Sequence, residues 1–166
     1  MKNKKKKIAY ISGTRADFGL MTPILSAIKR SKNLDLKLYV TGLHLMAEFG
    51  STVNEVKKLF PRAVEVRAIF ENDKKSSLVM FTSILINKLT KIFKKDTPDF
   101  VLILGDRPEM LAVALICLYL GIPTGHIHGG EKTTTVDELA RHAITKLSHL
   151  HFPATEEAAE RIAKMG

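Results

Sequence analysis

Hydrophobic positions along the chain fall into two textures. Short runs rich in β-branched and aliphatic residues, IAYIS (8–12), LKLYVT (36–41), AVEVRAI (63–69), FVLILG (100–105) and PTGHIH (123–128), predict strands. Several are continuously apolar, as a strand covered on both faces of a parallel sheet requires. Longer segments between them carry helical spacing. SSLVMFTSILINKLTKIF (76–93) places Leu78, Phe81, Leu85, Leu89 and Ile92 on one face. RPEMLAVALICLYLG (107–121) is apolar nearly all round and predicts a central helix stopped by Gly121. VDELARHAITKLSHL (136–150) is amphipathic, and TEEAAERIAKMG (155–166) opens with a threonine cap and two acids.

Strands alternating with helices imply βαβ units, right-handed crossovers and a Rossmann-like open parallel sheet with helices on both faces. There is no internal repeat and no Gly/Ser-rich linker, so 8–166 reads as one domain behind a basic tail, 1–7. Composition changes this picture little. The net charge of +9 suggests nucleic acid until it is located: five lysines lie in Met1–Lys7, and the remainder carries about +4. No aromatic residues interleave that run and no nucleic-acid motif follows it, so no nucleic-acid partner is expected. The longest apolar stretch, Met110–Pro123, is too short to span a bilayer, and IAYIS is too short for a secretory core, so no membrane partner is expected. The single cysteine, Cys117, cannot form an internal disulfide, which fits a reducing cytoplasm.

In open parallel sheets ligands bind beyond the carboxyl ends of the strands, and the unusual residues of this chain fall there. SGTRADFG (12–19) offers Gly13 for a tight turn, with Arg15 and Asp17 just before a helix; this suits a phosphate, or equally a cap paired to a surface arginine. GDRPE (105–109) has Asp106 and Glu109 at capping-box spacing, with Pro108 in the first helical turn. In HIHGGE (126–131) the two histidines would share a strand face, yet only Glu131 offers a third metal ligand, so no metal is expected. The alternative has Gly129 and Gly130 letting backbone approach a ligand, with His128 and Glu131 at the rim. In the helix 136–150, Glu138 and His142 share a face, as do Asp137 and Arg141. That pattern fits surface ion pairs, or a carboxylate and imidazole turned into a pocket for proton transfer.

Together SGTRADFGLMTP, GDRPEMLA, HIHGGE and VDELARHAITKLSHLHF closely resemble the UDP-N-acetylglucosamine 2-epimerase family, in its hydrolysing branch. The non-hydrolysing branch carries GTRPE and HVEAG loops where this chain has GTRADFG and HIHGG. The resemblance implies the N-terminal half of a two-domain, glycosyltransferase-B-type fold with the active site between the halves. It leaves a C-terminal UDP-binding domain as an absent partner and a chain inactive alone. It further implies a UDP-amino sugar substrate, no cofactor, and elimination of UDP followed by hydration of a glycal-like intermediate. By position, Asp106 and Asp137 match family catalytic acids. A family glutamate, as in HIEGG, falls on His128; either His128 or Glu131 takes over its proton transfer, or the substrate differs, for example a UDP-diacetamido sugar. Asp106, His128, Glu131, Asp137 and His142 are thus the candidate catalytic residues. Gly13, Arg15, Asp17, Arg107, Gly129, Gly130 and Glu138 are the candidate substrate-binding ones. A homo-oligomer is expected; helix 76–93 offers a face for it but fits an ordinary core equally well. The competing functions are a non-hydrolysing epimerase, a non-catalytic nucleotide-sugar-binding module and a glycosyltransferase of the same fold.

Overall fold

The computed structural model describes residues 4–70, 74–133 and 135–166. Among these residues, six strands alternate with six helices. They are Lys6–Ser12 (β1), Arg15–Arg30 (α1), Leu34–Val40 (β2), Val53–Leu59 (α2), Val64–Glu65 (β3) and Lys75–Lys95 (α3), then Phe100–Leu104 (β4), Pro108–Leu120 (α4), Thr124–Ile127 (β5), Val136–Leu147 (α5), Leu150–Phe152 (β6) and Glu156–Met165 (α6). Two short 3-10 turns, Gly42–Leu45 and Ala47–Phe49, lie between β2 and α2. The sheet order is β3-β2-β1-β4-β5-β6, and every pairing is parallel. The order reverses direction at β1, whose two neighbours are β2 and β4, and the carboxyl ends at such a switch point are where open sheets of this kind bind ligands.

Consecutive residues of the central strands are buried, Ala9, Tyr10 and Ile11 to 0 % exposure. Neighbouring side chains on a strand point to opposite faces, so both faces are covered. Tyr39 of β2 packs on Phe93 of α3, with ring centroids 5.8 Å apart. The buried stripe of α3 is Phe81, Leu85, Leu89 and Phe93, a strict four-residue repeat; Leu78 lies outside it and is exposed. α4 is the central helix, and Gly121 ends it in the left-handed conformation, at φ 65°. Its last residues, Leu118 to Leu120, emerge at the surface.

Three sequence expectations are corrected. The run 63–69 contributes only Val64 and Glu65 to the sheet, because Val66 and Ala68 leave it to bond the Thr41 hydroxyl and Gly42 N–H through their carbonyls. The helix expected to reach residue 150 stops at Leu147, and Leu150–Phe152 becomes a sixth strand beside β5. The basic run is not wholly a tail, since Lys6 and Lys7 open β1. Their ammonium groups pair with Asp99 and Asp96, and the Lys7 N–H donates to Asp99 at 2.8 Å.

Candidate active site

The loop after β1 is built around one carboxylate. Thr14 caps α1, accepting from Asp17 N–H at 3.2 Å, and Asp17 Oδ2 accepts from Thr14 N–H at 2.7 Å and Gly13 N–H at 3.0 Å. Its Oδ1 accepts from the Tyr10 hydroxyl at 3.1 Å and from Ser12. Asp17, only 6 % exposed, is spent on holding the loop rather than facing outward. α1 starts at Arg15, so Arg15 and Asp17 belong to its first turn instead of preceding it. Because Ser12 gives its proton to Asp17, its oxygen accepts from His44 Nε2–H at 2.9 Å, and His44 Nδ1 accepts from the Thr52 hydroxyl at 2.7 Å. Burial lowers the His44 pKa, which keeps this ring neutral and joins the β1 loop to the segment after β2.

The loop after β4 departs from its expected cap. Arg107, not Asp106, is the N-cap of α4, without a side-chain cap bond, and Pro108 is in the first turn. Freed from capping, the Asp106 carboxylate pairs with the guanidinium of Arg141 on α5. Both side chains are largely buried, 17 % and 13 % exposed. Arg141 therefore does not form the expected surface pair with Asp137, whose carboxylate instead accepts from the Thr135 hydroxyl at 3.2 Å. The Nε and Nη1 atoms of Arg141 are buried without a hydrogen-bond partner among the described residues. Sequence spacing alone missed this residue. The available signal was that Arg141, Ile144 and Thr145 lie three and four apart, on the face of α5 that turns inward.

The HIHGGE segment divides its two histidines. β5 ends at Ile127, so His126 and His128 do not share a strand face. His126 is fully buried; its Nε2–H donates to Gly105 O at 2.8 Å, and its Nδ1 lies 3.1 Å from the Thr145 hydroxyl. Burial pushes its pKa down to about 4. His128 is exposed and sits in the left-handed region at φ 59°, uncommon for a residue with a β-carbon and frequent at functional turns. The glycines make room for the protein's own groups: a Cβ at Gly129 would lie 2.7 Å from His126 Nδ1, and one at Gly130 2.6 Å from Ala158 O of α6. Glu131 is half-buried just beyond them. Glu138 does not bond His142; it accepts from Thr133 N–H at 2.7 Å, and the His142 Nε2 is buried without a partner among the described residues. A surface hollow of about 410 Å³ opens beside this segment, lined by Lys132, Thr133, Thr135, Glu138 and Leu139.

The strand order thus sets the Gly13, Asp106–Arg107 and His128–Glu131 loops side by side along one rim. Arg15 points away, to Glu55 of α2 at 3.2 Å, with its side chain 74 % exposed. Arg107 instead lies over the β1 and β4 ends, where its Nη2 donates to the buried Glu109 carboxylate at 3.4 Å. Among the described residues no group of three His, Cys, Asp or Glu side chains converges to hold a metal ion. No helix among them is long and apolar enough to cross a membrane.

The sequence model of one family, described as UDP-N-acetylglucosamine 2-epimerase, matches residues 26–166. The UDP-N,N'-diacetylbacillosamine 2-epimerase (hydrolyzing) of Legionella pneumophila is 46% identical over 97% of this chain and 43% of its own length. The GDP/UDP-N,N'-diacetylbacillosamine 2-epimerase (hydrolyzing) of Campylobacter jejuni is 40% identical over 98% of this chain and 42% of its own length. The crystal structure of the Neisseria meningitidis UDP-GlcNAc 2-epimerase bound to UDP-GlcNAc superposes with a TM-score of 0.82 at 26% identity, over 95% of this chain and 42% of that one. The chain thus spans less than half the length of the curated relatives it matches, and corresponds to the N-terminal half of their glycosyltransferase-B-type fold. With its sheet order, its rim of loops and these matches together, the chain belongs to the UDP-N-acetylglucosamine 2-epimerase family.

Proposed function

We propose that this chain is the N-terminal half of a hydrolysing UDP-amino-sugar 2-epimerase, releasing UDP and a free 2-epimerised amino sugar. The observation that carries the reading is the rim itself: three loops place a carboxylate held by a guanidinium, Asp106 with Arg141, beside Arg107 and the His128–Glu131 turn. The names of the two relatives above favour a UDP-2,4-diacetamido sugar over UDP-N-acetylglucosamine. In the latter case the product would be N-acetylmannosamine, for sialic-acid-type biosynthesis. A cytoplasmic setting and a homo-oligomer go with the reading.

The reaction makes three demands. A base removes the proton at C2 while the C1–O bond breaks and its electron pair leaves with UDP, giving a glycal-like intermediate. Water then adds, its hydroxyl to C1, with a proton delivered to C2 on the opposite face. Cations must hold the departing diphosphate, and two protonatable groups must address opposite faces of the sugar. Arg107 serves the departing diphosphate, with Arg15 on an exposed arm able to swing in from Glu55. Asp106, Glu131, Asp137, His128 and His142 are the proton-transfer candidates. Of these, His128 lies in the turn held in the left-handed region, and Glu131 follows directly after it. Gly13, Gly129, Gly130 and Glu138 set the backbone that shapes the rim, and Asp17 stiffens it.

The test is to incubate the protein, expressed over its whole reading frame, with each of the two nucleotide sugars. Free UDP and free sugar are followed by chromatography. Equimolar release of UDP and the 2-epimer is expected. A 2-epimer still attached to UDP would establish the non-hydrolysing alternative, and no turnover of either sugar would leave a binding module.

A further inference from the structure

Among the described residues, Glu109 is the buried carboxylate at this rim that the reading above leaves without a task. Its side chain is 0 % exposed, an expensive place for an acid, and burial raises its pKa. The fold nonetheless builds a slot for it. A Cβ at Gly13 would collide with Glu109 Oε1, and one at Gly42 would come within 3.1 Å of it. Two separate loops therefore offer bare backbone where the carboxylate lies. Apolar packing does not require an acid there. The N-cap side chain of α4 makes no cap bond, and Glu109, an acid of the first turn, accepts from its own backbone N–H. Its side-chain partner is Arg107. The guanidinium Nη2 donates to Oε1 at 3.4 Å and Nε stands 3.4 Å from Oε2. That second approach is too oblique for a hydrogen bond, so Arg107 Nε and Glu109 Oε2 are both buried and unpartnered among the described residues. The pair is thus a side-on clamp, one hydrogen bond short of the two-pronged form that arginine and carboxylate prefer.

We propose that Glu109 is a positioning residue, holding the Arg107 guanidinium over the junction of β1 and β4 so that it meets the diphosphate of a nucleotide ligand. Arg107 is 38 % exposed on its side chain, so one edge meets Glu109 and part of the remainder is open to solvent at the rim. A fixed guanidinium loses less freedom when an anion arrives than one sampling the solvent. The identity of the anion rests on the epimerase reading; the clamp does not.

Two measurements test this. The first follows modification of Arg107 by phenylglyoxal, located by mass spectrometry, in this chain and in Glu109→Gln, which keeps the slot filled. Modification several-fold faster in the variant, with an undiminished thermal midpoint, is expected. An unchanged rate would overturn the clamp. The second is UDP affinity by calorimetry for the protein expressed over its whole reading frame, and for Glu109→Gln, Arg107→Ala and the double variant. Each single change should weaken binding about tenfold, and the double should be within about twofold of Arg107→Ala, since neighbours in one network do not act independently. Losses that multiply would refute action through Arg107. If Glu109→Gln does not fold, Glu109→Asp retains the charge but falls short of the guanidinium, and the same outcomes apply to it. Failure of the unmutated protein to bind UDP would sink the epimerase reading alone, with the clamp decided by the first measurement.

Discussion

The buried imidazole of His126 makes the stability of this domain depend on pH in a calculable way. An ordinary histidine takes up its proton near 6.5, but burial holds this one down to about 4. Between those values the unfolded chain binds a proton that the folded chain refuses, so acid favours unfolding. The contribution is absent above about pH 6.5, grows as pH falls, and is complete below about 4. Each pH unit of displacement is worth about 1.4 kcal/mol, giving about 3 kcal/mol in full and about 2 kcal/mol at pH 5. That is a large share of the 5–15 kcal/mol typical of a domain. The assay is urea unfolding followed by far-ultraviolet circular dichroism at pH 7 and pH 5, for this chain and for His126→Gln. Glutamine can still donate to Gly105 O but cannot be charged. His44 and His151, whose pKa values burial also lowers, titrate in both proteins and largely cancel in the difference. The unsubstituted chain should lose about 2 kcal/mol more than the variant between the two pH values. Equal losses in the two proteins would show that His126 accepts a proton without penalty, and the description of its surroundings would be wrong.

Asp106→Asn, in the protein expressed over its whole reading frame, should lower the rate of UDP release by about a hundredfold or more, the scale of general acid–base help. Near-normal turnover would return Asp106 to a purely structural pairing with Arg141. Gly129→Ala brings a Cβ to 2.7 Å from His126 Nδ1 and 2.9 Å from Thr145 Oγ1, so it should destabilise the domain by about 1–3 kcal/mol in denaturant titrations. Cys117 is buried on α4 with its thiol pushed up to about 12, so it should not react with a disulfide reagent at neutral pH until denaturant unfolds the chain. Prompt labelling of the native protein would contradict that burial.

What the sequence made legible were features whose cause is local or periodic. The apolar texture of 107–121 and its terminal glycine read directly as α4 and its left-handed stop. The continuously apolar strands read as a sheet covered on both faces. The misses share a different cause. Arg141 has an acid four residues earlier, yet its partner is Asp106, 35 positions away on the loop after β4. Asp106 and Glu109 have the spacing of a cap, but one is drawn to α5 and the other into a slot made by Gly13 and Gly42. Three residues, Leu150–Phe152, are too few to announce a strand by pattern and exist as one because β5 offers its edge. Local spacing proposes partners, and tertiary approach chooses among them.

The parallel order of the strands also has a consequence for how the chain is born. β1 is made before the other five strands but ends as an interior strand, and its second neighbour, paired as Ile8 with Phe100, emerges about ninety residues later. At ribosomal speeds of about 5–20 residues per second, the β1 segment waits several seconds with one edge bare. Lysines 4–7 lead into and open that strand, where their mutual repulsion would discourage two nascent copies from zipping together before Asp96 and Asp99 arrive to neutralise Lys6 and Lys7.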